Sequence, residues 1–524
     1  MPQRLIALAT SALLIGGLFI GAPVRVQAVT DTVYVADVLD YEYAGGSCDS
    51  PDFTTNLTED ADTIQAAIDA VDASPSLTTV YLCAGTYHIT AGLYASAELT
   101  LQGANAATTI LDGGAELNDD GSWLRNGVTI LYGEDGLTVS NLTFTHGHSA
   151  EGSGAIGGSG PMHIADAEFT YNSGAWGGAI SNGGSVEVIR STFIENNASN
   201  NGGAITAAEI VAISSSIFSG NSAYSGGAVQ SNVSVTSTQS RFTDNEAFYG
   251  GAIATNDIIV NRSTFTGNVS GCEGGGIYAS DDAAVASSTF TGNVSGCEGG
   301  GIFAFDDVTV TSSVFTSNVA DDYGGAIDLY GDLVVSGSTF RGNEAGDGGA
   351  IEAAFGDTAT VTRSTFTDNV ANRGSGGAIE ANNLFVTAST FKGNYANNGN
   401  GGAIRASTTT VTNSAFSSNR ASWEGGAIQA ATGTVGSSRF TRNASETGGA
   451  IFFYSPAPTD LRLMRRNTFS RNRAAAGGAM TLGPCGTPSR SQAARVQRAN
   501  RFSGNRATEQ RRTNNIERRE GGCG

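Results

Sequence analysis

The sequence predicts an all-β fold, a parallel β-helix that closes one coil every 24–25 residues or so. Three observations predict it. F-x-x-N recurs fourteen times between Phe169 and Phe502, and eleven of the thirteen gaps lie between 23 and 26 residues. G-G-[AG]-[IVM] alternates with it from Gly177 to Gly477. The stretch STFTGNVSGCEGGGI occurs twice without change, at Ser263–Ile277 and Ser288–Ile302. A fixed period of this length held over some 300 residues is the mark of a solenoid. Composition agrees: 72 Gly against 9 Pro, with no three-residue period, excludes collagen, and 40% hydrophobic residues exclude a disordered chain.

Residues 1–28 read as a secretory signal: Arg4, the apolar run LIALATSALLIGGLFIGA, and the small-residue site Val26-Gln27-Ala28. The alternative is a retained anchor. No later stretch is long and apolar enough to span a bilayer. Residues 29–78 form the expected N-terminal cap. Within it, DTIQAAIDAVDAS is an amphipathic helix with Asp62 as N-cap and Ile64, Ala67, Ile68 and Val71 on one face. Such a cap shields strand edges that would otherwise recruit other chains. Residues 79–480 are the β-helix, and 481–524 a C-terminal cap with an Arg-rich tail.

Each unit reads as three short strands: the segment after the double glycine, an alternating run such as DLVVSG, and S-T-F. Glycine and asparagine supply the turns because they tolerate positive φ. Twenty-five residues holding three strands and three turns leave no room for a helix. Stacked coils place each Phe over the next and let each Asn amide bond its neighbour along the axis.

Cys272 and Cys297 sit at equivalent positions one coil apart, ~4.8 Å between strands, which suits a disulfide. Two free thiols are the alternative. Cys48 with Cys83 would tie the cap to the first coil, and Cys485 with Cys523 would close the other end. An even cysteine count fits export. Residues 1–460 carry 46 acids against 14 bases, whereas 461–524 carry 14 Arg and 3 Glu. An acidic body excludes nucleic acid as the main partner. The basic tail reads as a solvated end or as a contact for an acidic polymer or lipid headgroups.

The alternating GGAI and F-x-x-N motifs resemble the repeats of chlamydial polymorphic membrane proteins. The run from TIQAAIDA through GTYHI, LTLQGA and ILDGG is similar to the start of pectate-lyase-like β-helices. Together the two likenesses span residues 62–480. They imply a right-handed coil and a secreted or cell-surface location, with association to an outer membrane. They also imply adhesion to a glycan or protein of a host or neighbouring cell, or to cell-wall polysaccharide. The repeat family anchors itself with a C-terminal barrel. Here GGCG follows the last GGAM by only about 45 residues, too few for eight membrane strands, so self-anchoring is not expected.

A pectate-lyase-like enzyme is the alternative function, and a structural wall or sheath component the third. The acidic pairs Asp119-Asp120, Asp281-Asp282, Asp306-Asp307 and Asp321-Asp322 lack the polysaccharide-hydrolase motif context, and tight turns leave no loops to wall a cleft. The sequence therefore leans away from catalysis, and no catalytic residue or organic cofactor is assigned. Asp257, Asp282, Asp307, Asp332 and Asp357 recur every 25 residues. As a column they would hold Ca²⁺ between coils, or each would turn the chain by bonding its own backbone; the second is favoured. Glu273 and Glu298 form a shorter rung. His146 and His148 lack a third ligand nearby in sequence. Asn268 and Asn293 lie in N-x-S sequons.

Overall fold

The computed structural model describes residues 32–37, 48, 51–55, 59–117, 123–125, 127–354, 356, 358–456, 458–483, 489–509 and 515–518. The expected secretory signal, Cys485, Cys523 and Asp357 lie outside these residues. The chain is a right-handed parallel β-solenoid. A typical repeat contributes Ile327–Leu329 after the double glycine, then Leu333–Ser336, then Thr339–Arg341. A fourth strand of two residues, Glu344–Ala345, follows the Asn and was not foreseen. Each of these four strands pairs in parallel with its equivalent one coil away: Ile327 with Ile351, Leu333 with Ala359, Phe340 with Phe366, Glu344 with Val370.

The interior is a set of columns. Fifteen Phe rings, from Phe144 to Phe502, stack at centroid distances of 4.7–5.0 Å. Beside them run the Ile of the glycine motif and the paired apolar residues of the alternating strand, such as Leu333 and Val335, all buried. Burying one such side chain contributes about 1.5–3 kcal/mol.

The Asn of F-x-x-N is a polar column inside this core. From Asn172 to Asn505 each Nδ2 donates to the Oδ1 of the next coil's Asn. At Asn343 the bookkeeping is complete. Its Nδ2 donates to the Phe315 carbonyl (3.1 Å) and to Asn369 Oδ1 (2.9 Å). Its Oδ1 accepts from both Nδ2 and the backbone N–H of Asn318, each at 3.0 Å. No polar atom of that amide is left over, which is what permits its full burial. Asn268 and Asn293, the sequon residues, are rungs of this ladder with no exposed surface.

A second ladder escaped the sequence reading. The Ser two residues before Phe, from Ser191 to Ser438, accepts the backbone N–H of the preceding coil's Ser and donates to its own chain; Ser338 Oγ lies 3.1 Å from Ser313 N and 3.0 Å from the Ser336 carbonyl.

The double glycine has two separate causes. Gly324 sits at φ +58°, and a Cβ on Gly325 would lie 2.4 Å from the Gly349 carbonyl of the next coil. The first needs left-handed backbone, the second close approach. Other corners take the left-handed conformation without glycine, as at Ser312, Ser317, Arg363 and Asp368. Each costs roughly 1 kcal/mol, and the ladders on either side hold it in place.

Both ends extend past the expected boundaries. Thr32–Asp37 already pairs in parallel with Thr79–Leu82, and Arg501–Ser503 and Ile516–Arg518 continue the sheets. Helix α1, Asp60–Asp72, buries Ile64, Ala67, Ile68 and Val71 against the first coils. Glu59, not Asp62, holds the N-cap position, and it makes no side-chain cap. Asp60 is buried and accepts the His88 N–H at 2.7 Å, and Asp72 accepts from Ser96 at 2.9 Å. Two further helices, Pro458–Leu463 (α2) and Arg490–Ala499 (α3), fill the two longest F-x-x-N gaps. A capping box between Ser489 and Gln492 starts α3.

Cys272 and Cys297 are bonded across adjacent coils, Cα–Cα 4.5 Å, and Cys48 and Cys83 at 6.0 Å.

Replacing Asn343 with Ala strands the Asn318 backbone N–H and removes one bond each from Asn318 Nδ2, the Phe315 carbonyl and Asn369 Oδ1. Chemical denaturation should show a loss of about 2–4 kcal/mol, with hydrogen-exchange protection falling first in the coils of Asn318 and Asn369. Cys272→Ser/Cys297→Ser should cost about 3 kcal/mol by loop entropy; an unchanged midpoint would mean the two coils are held by their ladders alone.

Candidate functional site: an aromatic ridge ending on a buried carboxylate column

Four of the five aspartates lie among the described residues, and their carboxylates bond the backbone of the adjacent coil. Asp282 N–H donates to Asp257 Oδ1 (3.3 Å), Asp307 N–H to Asp282 (3.0 Å) and Asp332 N–H to Asp307 (2.7 Å). Each carboxylate thus caps the next coil's backbone rather than its own. Thr358 N–H donates to Asp332 at 2.7 Å, where Leu333 pairs with Ala359 at an offset of 26 residues. Asp306 joins Asp282 and Asp307, with carboxylate oxygens within 4.8 Å of one another. Burial and the neighbouring acids push Asp282 and Asp306 above the usual carboxylate range.

In the early coils the fold brings together what the sequence kept apart. Asp112 Oδ1 lies 3.4 Å from His146 Nδ1, and its Oδ2 lies 3.8 Å from His88 Nδ1. Burial pushes Asp112 up, but His146, the Gly114 N–H and His88 together hold it below the usual range. His148 instead meets Ser173 Oγ at 2.6 Å, so His146 and His148 do not share a site.

Asp328, Glu352 and Glu380 were missed. They follow the Ile of G-G-A-I in three successive coils and pair in register. Alignment on GGAI exposes them as GGAID, GGAIE and GGAIE; their spacings of 24 and 28 residues hide them from a 25-residue count. They are only 1, 3 and 7% exposed. Burial, then Glu298, holds Asp328 well above the carboxylate range, and the two carboxyls share a hydrogen bond. Burial, then Glu380, does the same to Glu352. Burial drives Glu380 up to about 7 against the opposing pull of Arg405, which donates to it. Burial and then Glu298 push the Tyr330 hydroxyl to about 12.

Tyr330 is also the last ring of a partly exposed aromatic ridge, in which Phe303 is buried. Tyr224 stacks on Phe248 (5.4 Å), Phe248 meets Tyr249 edge-on (4.8 Å), and Tyr249 meets Tyr278 (5.6 Å). Tyr278 stacks on Phe303 (5.7 Å), Phe303 meets Phe305 (5.0 Å), and Phe305 stacks on Tyr330 (5.6 Å). The seven rings cross five coils, about 19 Å at strand spacing. Tyr224, Phe248 and Phe305 are 53, 41 and 47% exposed. A concavity of ≈ 500 Å³ opens at the first end, between Tyr224, Phe248, Glu246 and Val269. The ridge had a readable signal: after the F-x-x-N column is set aside, aromatics crowd between Tyr224 and Tyr330. Among the described residues no helix is long and apolar enough to cross a membrane.

Residues 53–149 match the family model of rhamnogalacturonase A/epimerase, pectate lyase-like proteins. Residues 262–280 and 287–304 match the Chlamydia polymorphic membrane protein repeat. No curated protein matches the chain in sequence. Among solved structures, PfbA, a surface adhesin of Streptococcus pneumoniae, is 12% identical with a TM-score of 0.36, over 70% of this chain and 89% of that one. The A-module of the mannuronan C-5 epimerase AlgE4 of Azotobacter vinelandii is 12% identical with a TM-score of 0.21, over 93% and 100%. Likenesses at these values bear on neither ligand nor activity.

Carboxyls whose folded-state affinity for protons exceeds their unfolded one stabilise the fold below the unfolded pKa and lose that contribution as pH rises through the folded one. For Glu380 the window runs from the ordinary 4.5 to about 7. In metal-free buffer the melting temperature should therefore fall by several degrees between pH 4.5 and 7.5, and Glu352→Gln should flatten the fall. A melting temperature that rises across this window would contradict the buried protonated column.

Proposed function

We propose that the protein is an exported or cell-surface β-solenoid that binds a surface glycan or protein without chemical turnover. The observation that carries this reading is the partly exposed aromatic ridge. Seven contiguous rings cross five coils beside a shallow concavity, with Tyr224, Phe248 and Phe305 exposed, Tyr249, Tyr278 and Tyr330 half-buried and Phe303 buried among them. Aromatic surfaces of that kind, rimmed by polar groups, mark interaction sites on soluble proteins. A pectate-lyase-like activity has less support. The carboxyls with the strongest hold on their protons, Asp328 and Glu352, are 1 and 3% exposed and out of reach of a polymer chain. The acidic body, with 46 acids against 14 bases over residues 1–460, favours neutral or basic partners through the field it projects.

The test is the full chain on a panel of neutral and acidic polysaccharides and cell-surface proteins, read for bound protein and for new chain ends. Binding without new ends is expected, with a loss of about tenfold or more in affinity for Tyr224→Ala/Phe248→Ala. New chain ends would overturn the non-catalytic reading. Undiminished binding by the double variant would move the contact elsewhere on the solenoid.

A further inference from the structure

The carboxylate column carries a second inference, independent of what the ridge binds. At the register position of Asp328, Glu352 and Glu380, other coils carry Ser181, Thr206, Gln230 or Phe303, so the fold itself does not require an acid there. Asp328 Oδ1, Glu352 Oε2 and Glu380 Oε2 are each buried and accept no hydrogen bond. Leaving one buried polar group unmet costs about 1–3 kcal/mol, and more for a charged one. Of the three rungs, Glu380 has a cationic contact from the chain, whereas no cationic side chain of the described residues is in contact with Asp328 or Glu352. The groups facing them are almost all acids: Glu273 and Glu298 beside Asp328, and Asp347 beside Glu352 and Glu380. Arg405 is the cation of the group: it is in contact with Glu380, and its charge also opposes the rise at Glu352 without a contact there.

We propose that this column binds a hard divalent cation, Ca²⁺ by preference, between neighbouring rungs at Asp328 and Glu352. The donors are oxygens, with no thiolate or imidazole, which disfavours zinc and suits calcium. Rungs one strand apart let two carboxylates reach one ion, while the flexible ligand number of Ca²⁺ tolerates a site built on strands rather than on a loop. The ion neutralises charge that would otherwise require protons, so the column stays stacked at neutral pH. With two carboxylates as its main ligands, the site should be weak, with Kd on the order of 0.1–1 mM as in extracellular calcium modules.

The experiment uses the full chain, freed of metal with EDTA and dialysed to pH 7.5, titrated with CaCl₂ and separately with MgCl₂. Melting temperature and calorimetric heat are recorded. A saturable rise in melting temperature with Ca²⁺, smaller with Mg²⁺, is expected. It should persist in Asp306→Asn, which breaks the exposed trio, and disappear in Asp328→Asn/Glu352→Gln. These replacements are near-isosteric, and the single variant Glu352→Gln should weaken the response if the double variant does not fold. Two results would overturn the proposal. One is a rise that survives Asp328→Asn/Glu352→Gln or Glu352→Gln but is lost in Asp306→Asn, placing the ion on the exposed trio. The other is no cation response in the wild type while Glu352→Gln alone raises its melting temperature at pH 7.5, meaning that protons alone occupy the column.

Discussion

The buried asparagine ladder is the constraint on which the rest of this structure depends. An amide with two donors and two acceptor positions can be buried without loss only if all are met. Here they are met by the coils above and below and by nothing else. That fixes the axial rise, and with it the register of every other column. The Phe stack, the glycine close approach and the serine ladder all inherit their spacing from it. Apolar burial supplies most of the energy, but it tolerates slippage. The amide chain does not, because at Asn343 a shift of one residue would place Gly342 or Glu344 where an amide must be.

Fixed register turns sequence position into spatial position outside the Phe and Asn columns as well. A residue placed after G-G-A-I always stands at the same height on the same face. This largely buried position can therefore change character coil by coil without altering the Phe and Asn columns: aromatic from Tyr278 to Phe303, acidic from Asp328 to Glu380, then cationic at Arg405. Because each coil touches only its neighbours, such changes accumulate without a global cost. The ridge and the carboxylate column meet at Tyr330 because that coil is where one set of substitutions ends and the next begins.

The period of F-x-x-N and GGAI made the solenoid and its inward columns legible in the sequence, and the spacing of Ile64, Ala67, Ile68 and Val71 did the same for the amphipathic face of α1. The columns follow from repetition, and repetition is visible. What repetition does not carry was lost. The helices α2 and α3 sit in the two irregular gaps, where counting by 25 says nothing. The carboxylate column was hidden because one Asp and two Glu follow one another at uneven spacings of 24 and 28 residues, although alignment on GGAI reveals it. Ser191 to Ser438 were read as strand residues since a serine in S-T-F looks like any polar strand position; only the coil-to-coil geometry shows it accepting a backbone N–H. Cys272 and Cys297 lay in an unchanged duplicate, so their juxtaposition needed no three-dimensional information beyond the period.

The ladder also decides where the chain can be made. Asn268, Asn293 and Asn443 each head an N-x-S sequon, and each is a fully buried rung. A glycosylation machinery meets such asparagines on the nascent chain, before any coil has closed. A sugar joined there would occupy the nitrogen that must bond the neighbouring coils, and its bulk has no room between rungs stacked at strand spacing. The repeat is therefore compatible with secretion routes that leave sequons untouched, and a eukaryotic secretory pathway would stall its winding at those three coils.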